Sequence, residues 1–277
     1  MTIAITGATG QLGRLAISAI KARGADAIAL VRSPSKAADL GAGVRAFDYT
    51  DPATFGSLAG VTTLVLISSS DFNDRIGQHT RVIDAAKAAG VGRVIYTSLL
   101  RADTSPMLLA ADHKATEAHL RASGVGYTVL RNGWYTENHT GSLGGAIAAG
   151  AMIGSAGAGR FSSAARADYA EAIAVTALGA DHAGKVYELG GDVSYSLAEM
   201  AAEVARQTGK TVGYNDLPPE TYAGILQSFG LPEGFAHVLA DSDVHAAHGA
   251  LEENSGTLSR LIGRATTPMA HVVAAAV

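Results

Sequence analysis

Residues 3–13 read Ile-Ala-Ile-Thr-Gly-Ala-Thr-Gly-Gln-Leu-Gly, and they constrain the fold more than any other stretch. A short apolar run ends at Thr6, glycines follow at Gly7, Gly10 and Gly13, and Arg14 to Ile20 continues as a helix-compatible series. The order is strand, glycine turn, helix. A dinucleotide diphosphate seated on such a turn has to approach backbone N–H groups, and a Cβ would hold it away. The helix behind the turn supplies unpaired N–H donors and a partial positive charge. With 33 glycines in 277 residues the spacing alone is weak evidence. Its place after a strand and before a helix makes nucleotide binding the leading reading over a plain βα turn.

The alternation continues. Ala27 to Val31, Val44 to Phe47, Thr63 to Ile67, Arg93 to Thr97, Gly126 to Leu130 and Lys185 to Leu189 read as short strands. Several are continuously apolar, as strands of a parallel sheet covered on both faces must be. Helical patterns lie between them: Asp74 to Ala89 closed by Gly90, Ala110 to Ser123, and a helix from Arg166. Thr50 or Asp51, followed by Pro52, reads as an N-cap, and capping is the favoured explanation for Asp51. The segment from Thr140 to Gly159 reads as a helix and glycine loop. Ser196 opens a helix that stops at Gly209, and Pro218-Pro219 opens another. The expected fold is α/β, a Rossmann-type doubly wound parallel sheet with a smaller, mainly helical C-terminal domain. Residues 1–132 and about 166–190 form the expected nucleotide-binding domain; about 133–165 and 191–277 form the domain that covers the substrate.

Composition narrows the function. A net charge of −4 without a basic run argues against a nucleic-acid partner. Zero cysteines excludes disulfides, a thiol nucleophile and cysteine-ligated metal, and no metal site is expected. Met1 leads straight into the first strand without a signal-peptide pattern, and no apolar run approaches the about 18 residues of a membrane helix. A cytoplasmic, water-soluble chain is expected.

Site candidates cluster at strand ends. An Asp or Glu about 20 residues past the glycines accepts the ribose 2′-hydroxyl of NAD. Here Val31-Arg32-Ser33-Pro34-Ser35-Lys36 has no acid, and Arg32 stands in its place. A guanidinium grips a 2′-phosphate bidentately, so NADPH is favoured over NADH; the plain alternative is a solvated loop charge. Asp48, after the third strand, is placed to meet an adenine edge. Ser68, Ser69 and Ser70 end the fourth strand, where small hydroxyls either bond cofactor ribose and phosphate or form the next turn. Beyond the sixth strand, the chain's one Trp, Trp134, and its neighbour Tyr135 offer a flat aromatic wall for a planar ring, or ordinary packing between domains. Tyr135 is a candidate for orienting the substrate.

The G-x-x-G-x-x-G spacing resembles that of extended and atypical short-chain dehydrogenases. The best-known members carry Ser or Thr where Ser98 stands and Tyr-x-x-x-Lys on the next helix. Here that helix has His113-Lys114-Ala115-Thr116-Glu117, with His113 in the place of Tyr and Glu117 in the place of Lys. His113 is a candidate proton donor near neutral pH, or a packing residue. Glu117 is expected to pair along its helix with Lys114 or Arg121.

The likeness then becomes more specific. Gly7 to Gly13, Ile67 to Ser70, Tyr96-Thr97-Ser98-Leu99-Leu100 with Ala102-Asp103-Thr104-Ser105-Pro106, Leu130-Arg131-Asn132-Gly133-Trp134-Tyr135, Arg166-Ala167-Asp168-Tyr169 and Leu239-Ala240-Asp241-Ser242-Asp243-Val244 closely resemble the bacterial type-2 NAD(P)H:quinone oxidoreductases. These form a flavin-independent branch of the NmrA-like atypical short-chain dehydrogenases that also includes triphenylmethane reductases. The resemblance implies NADPH binding along Gly7, Thr9, Gly10, Gln11, Leu12, Gly13, Arg32, Ser68 to Ser70, Asn132, Gly133, Trp134, Tyr135, Glu137 and Arg166. No flavin is expected. It implies a small quinone as the acceptor, and a homodimer is entertained. Two alternatives remain open: an NADP(H)-binding redox sensor without useful turnover, and a reductase of triphenylmethane-like dyes.

Overall fold

A computed structural model describes residues 1–71 and 73–277. In chain order the first elements are β1 (Ile3–Thr6), α1 (Gln11–Ala22), β2 (Ala27–Val31), β3 (Gly43–Ala46), β4 (Thr63–Leu66), α2 (Arg75–Ala88), β5 (Arg93–Leu99), α3 (Leu108–Ser123) and β6 (Gly126–Asn132). Short 3-10 helices, Pro34–Leu40 and Pro52–Leu58, connect β2 to β3 and β3 to β4. Then come α4 (Thr136–Thr140), α5 (Leu143–Ala149), β7 (Ala151–Gly154), α6 (Arg166–Leu178), β8 (Val186–Leu189), α7 (Leu197–Thr208), β9 (Gly213–Asp216), α8 (Pro219–Ser228), α9 (Glu233–Ala246), α10 (Thr257–Ile262) and α11 (Met269–Ala274). No helix among the described residues is long and apolar enough to cross a membrane.

The main sheet has the order β3-β2-β1-β4-β5-β6-β8. β1 lies parallel to β2 on one side, with Ile3 opposite Ala27, and parallel to β4 on the other, with Ile3 opposite Thr63. The strand order therefore reverses between β1 and β4, which opens a crevice beyond their carboxyl ends. Both strands are buried along their whole length, as strands sandwiched between helix layers are. One core cluster joins Leu30, Phe47, Leu58, Leu64, Leu66 and Ile83, all buried. Each such side chain contributes about 1.5–3 kcal/mol relative to exposure. Another helix layer is α1 packed on α6; α1 buries Leu12, Ala16, Ile17 and Ile20, spaced to share one helix face. Arg93 closes the carboxyl end of α6 by donating to the Thr176, Ala177 and Gly179 carbonyls.

The chain divides into two compact units. The first comprises Met1–Ala102, Asp112–Asn132 and Arg166–Tyr187; the second comprises Asp103–Ala111, Gly133–Ala165 and Glu188–Val277. Residues 103–111 and 188–190, which sequence reading gives to the nucleotide domain, thus belong to the second unit. Within that unit the loop expected up to Gly159 contains a strand, β7, which pairs in parallel with β9, Ala151 opposite Gly213. Four-residue strands such as Ala-Met-Ile-Gly and Gly-Tyr-Asn-Asp are too short for alternation to stand out from loop. Helix α7 begins with a reciprocal capping box between Ser196 and Glu199 and ends at a left-handed Gly209. Helices α8 and α9 meet on Ala223, Ala236 and Ala240, whose small side chains let the backbones approach.

Candidate functional site

The glycine turn is built by three glycines with different tasks. Gly7 takes a left-handed conformation at φ +59°, open to a residue without Cβ, and its carbonyl accepts the Gly10 N–H at 2.9 Å. A Cβ on Gly13 would lie 2.4 Å from the Gly7 oxygen and 2.7 Å from the Ala8 Cα, so only glycine lets α1 start this close to β1. Gly10 caps α1 without any side chain accepting from the helix, and no acid occupies its first turn. The N–H groups at Gln11, Leu12 and Gly13 therefore keep their donor capacity for a ligand. Leu12 is itself buried in the core, so its contribution to a ligand is its backbone.

A cleft of about 380 Å³ opens on this turn. Gly7, Thr9 and Gly10 line one side, Arg32 and Asp48 another, and Ser68 to Ser70 a third. Among the described residues Arg32 makes no hydrogen bond or ion pair, and it is exposed at the rim. Asp48 is engaged by its own turn: its Oδ1 accepts from the Thr50 N–H at 2.9 Å and the Thr50 hydroxyl at 2.8 Å. The Thr50 N–H bond holds the Asp48 carboxyl below the usual range against partial burial, with the Thr50 hydroxyl and Arg32 adding to it. Below them the Tyr49 hydroxyl bridges Thr6 Oγ1 and the Ile67 carbonyl, the latter at 2.7 Å. It locks the ends of β1 and β4 together where the strand order reverses. Burial pushes this phenol above its usual range, so it stays protonated.

The serine segment is fixed from α2. Arg75, Gln78 and His79 fall on one helix face, and each takes a different group of Ser69. Arg75 Nε donates to the Ser69 carbonyl at 2.7 Å, the Ser69 hydroxyl donates to Gln78 Oε1 at 2.6 Å, and the Ser69 N–H donates to His79 Nε2 at 2.8 Å. The Ser69 hydroxyl also accepts the Asp71 N–H at 3.1 Å, so here it serves the turn. Because His79 Nε2 accepts, the neutral ring carries its proton on Nδ1, which faces Thr116 Oγ1 at 3.0 Å. Burial and the nearby Arg75 push the His79 imidazolium down to about 3.

The positions of the dehydrogenase acid-base group are occupied by a closed polar cluster. The Ser98 hydroxyl donates to Glu117 Oε1 at 2.6 Å. Arg131 donates to both Glu117 oxygens at 2.8 Å, and Arg121 adds a bond at 2.9 Å. Of the two expected helix partners of Glu117, Arg121 is engaged; Arg131 comes from β6, out of reach of any helix-spacing rule. Burial works to raise the Glu117 carboxyl, but the Arg131, Ser98 and Arg121 bonds together hold it below its usual range. His113 is buried, with Nδ1 2.8 Å from the Tyr96 hydroxyl. Burial, then Arg75 and His79, push its imidazolium well below the usual range. The ring is neutral at physiological pH and shares a hydrogen bond with the Tyr96 hydroxyl.

Asn132 ends β6, buried, and Arg166 opens α6; both belong to the first unit. Gly133, Trp134, Tyr135 and Glu137 belong to the second. There the backbone is pinned at both edges: Gly133 N–H donates to Leu189 at 2.7 Å, Thr136 N–H to Ala164 at 3.0 Å, and Ala164 N–H to Trp134 at 3.2 Å. Trp134 is buried and Tyr135 half-buried. The motif from Leu239 to Val244 is a tether within the second unit. Asp241 Oδ2 accepts the Leu108 N–H at 2.8 Å, and Asp243 Oδ2 accepts the Ser155 N–H at 2.9 Å. Burial pushes the Asp243 carboxyl up to about 6 against the Ser155 bond, and Asp216 adds to the rise.

Sheets of the order β3-β2-β1-β4-β5-β6 take a dinucleotide where the order reverses, with its diphosphate on the first helix N-terminus. By fold and site the molecule is thus of the Rossmann dinucleotide-binding class. The model of a family described as NAD(P)H-binding matches residues 7–180, and the chain belongs to that family. It is 51% identical to Quinone oxidoreductase 2 of Escherichia coli strain K12 over 98% of this chain and 97% of that protein. A crystal structure of the Escherichia coli NADPH-dependent quinone oxidoreductase QOR2 complexed with NADPH superposes with a TM-score of 0.95, at 50% identity and 99% coverage of each chain. The Citrobacter sp. triphenylmethane reductase complexed with NADP(H) superposes with a TM-score of 0.93, at 34% identity and 100% coverage of each.

Proposed function

We propose that the chain is an NADPH-dependent, flavin-independent reductase of quinones. The observation that carries the cofactor half is the cleft itself: a cradle that tolerates no Cβ at Gly13, a helix start without a side-chain cap, and the exposed Arg32 guanidinium at its rim, which bonds to none of the described residues. The α1 N–H groups would hold the diphosphate and Arg32 the 2′-phosphate, a contact NADH lacks. Ser68 to Ser70, Asn132, Gly133, Trp134, Glu137 and Arg166 are assigned to the remaining cofactor by the family likeness, and Tyr135 to orienting the acceptor.

Bound NADPH supplies a hydride from its nicotinamide. The chain's own residues position it and keep water from competing. A ketone accepting hydride becomes a strongly basic alkoxide and needs a proton at once. A quinone becomes a phenolate-like anion spread over its ring, and water protonates it afterwards to the hydroquinone. That difference fits a chain in which Ser98 and Glu117 are bonded to each other and His113 is neutral. The first unit is proposed as the NADPH-binding domain and the second as the acceptor-binding domain, in a cytoplasmic enzyme without a nucleic-acid or membrane partner. The proposed homodimer is decided by sedimentation of the purified chain. The activity is tested by stopped-flow loss of NADPH absorbance with benzoquinone and menadione. Turnover above the spontaneous rate is expected. Tight NADPH binding without turnover would favour a redox sensor instead.

A further inference from the structure

Arg14 lies just past the last glycine of the turn, on the first turn of α1, and its side chain is about one-third exposed. Each of its three guanidinium nitrogens nonetheless donates a bond, and together they reach two separate loops. Nε donates to the Thr9 carbonyl inside the glycine turn at 3.1 Å. Nη2 donates to the Lys36 carbonyl at 3.0 Å, and Nη1 to Asp39 Oδ2 at 2.6 Å, both in the 3-10 helix that follows Arg32. Among the described residues it is the one side chain bonded to both segments. The rigid fork of a guanidinium suits this role, because its donors are fixed relative to each other and transmit position from one loop to the other.

The consequence concerns spacing. A dinucleotide phosphate carries two anionic groups, the diphosphate and the 2′-phosphate, separated by one ribose. The glycine turn faces the first and the Arg32 segment the second. Among the described residues Arg32 makes no hydrogen bond or ion pair that would hold it in advance, so its reach is set by the backbone from which it extends. That backbone continues at once into Pro34 and the 3-10 helix, and Arg14 ties that helix to the turn. Preorganised spacing lowers the entropic cost of engaging both phosphates together. NADH, which has only the diphosphate, gains nothing from it.

We infer that Arg14 is a positioning residue for cofactor choice: it fixes the Arg32 loop against the glycine turn and so sets the preference for NADPH over NADH without touching either. This rests on the NADPH reading above. The test is steady-state kinetics of Arg14→Met with menadione and each cofactor, beside Arg32→Ala and Asp39→Asn, with thermal melting to establish that each variant folds. Arg14→Met is expected to raise the NADPH KM about tenfold, to change the NADH KM less than about twofold, and to leave kcat at saturating NADPH within about twofold. Arg14→Lys, which keeps charge but not the fork, is expected to recover part of the loss. Asp39→Asn, a milder perturbation of the same clamp, shifts KM in the same direction by less. Equal losses toward both cofactors, or no change toward either, in folded Arg14→Met overturns the inference. If Arg32→Ala also leaves NADPH preference intact, the 2′-phosphate reading is what has failed; if Arg32→Ala abolishes the preference and Arg14→Met does not, only the role of Arg14 has failed.

Discussion

Two polar regions of the first unit, the start of α1 and the surroundings of Glu117 on α3, reach opposite outcomes. At the glycine turn the donors have been left over: the α1 N–H groups have no side-chain cap, and Arg32 has no partner among the described residues. Around Glu117 every group is spent, because Ser98, Arg121 and Arg131 together surround its carboxylate. Donors at an accessible cleft are held by water, which a ligand can replace without breaking any bond within the protein. A closed buried ion cluster is stable only as a whole, since its members have given up water for one another. The Tyr and Lys positions that carry acid-base chemistry in the best-known short-chain dehydrogenases are here filled by other residue types, and Glu117 is held by Ser98, Arg121 and Arg131.

The sharpest way to break this contrast is Glu117→Ala. It removes the carboxylate that accepts two bonds from the buried Arg131 and is expected to cost about 3–5 kcal/mol in urea unfolding, with NADPH affinity of the folded protein unchanged. A loss below about 1 kcal/mol with impaired turnover would put Glu117 on the chemical side of the comparison. Asp243 sharpens it from the second unit, as a buried carboxylate with too little compensation. Its ordinary value of 3.8 is raised to about 6 in the fold. The unfolded chain thus loses this proton first, so the contribution of Asp243 to stability is full below pH 3.8 and lost as pH rises through about 6. The penalty is about 3 kcal/mol. Asp243→Asn is expected to gain stability over wild type by an amount that grows across that window and levels off above it. A pH-independent difference would contradict the assignment. The smallest effect is expected at His113. His113→Gln should leave kcat within about twofold and the pH profile between 6 and 8 unaltered. A large loss accompanied by the disappearance of an inflection would restore it as the acid.

Much of this was open to sequence reading, for local reasons. The glycine turn is contiguous, the central strands are apolar on both faces, and Ser196, Gly209, Gly90 and Asp51 are punctuation with a fixed offset to the backbone they close. Arg32 was legible because its distance from the glycines is set by one βαβ unit. The hidden part is long-range or inverted in polarity. Tyr49 reaches Thr6 across 43 residues, and Arg131 reaches Glu117 from another element. Helix α2 turns Arg75, Gln78 and His79 inward, where the amphipathic rule looks for apolar residues. Arg14 reads as one more helix residue, because nothing in its neighbours tells of a carbonyl 22 positions away.

Calorimetric titration of wild type and Arg32→Ala with NADPH and with NADH tests the central claim most directly. The account predicts that Arg32→Ala weakens NADPH about thirtyfold to a hundredfold and NADH less than about threefold. Equal weakening of both, or undiminished NADPH binding, would contradict it.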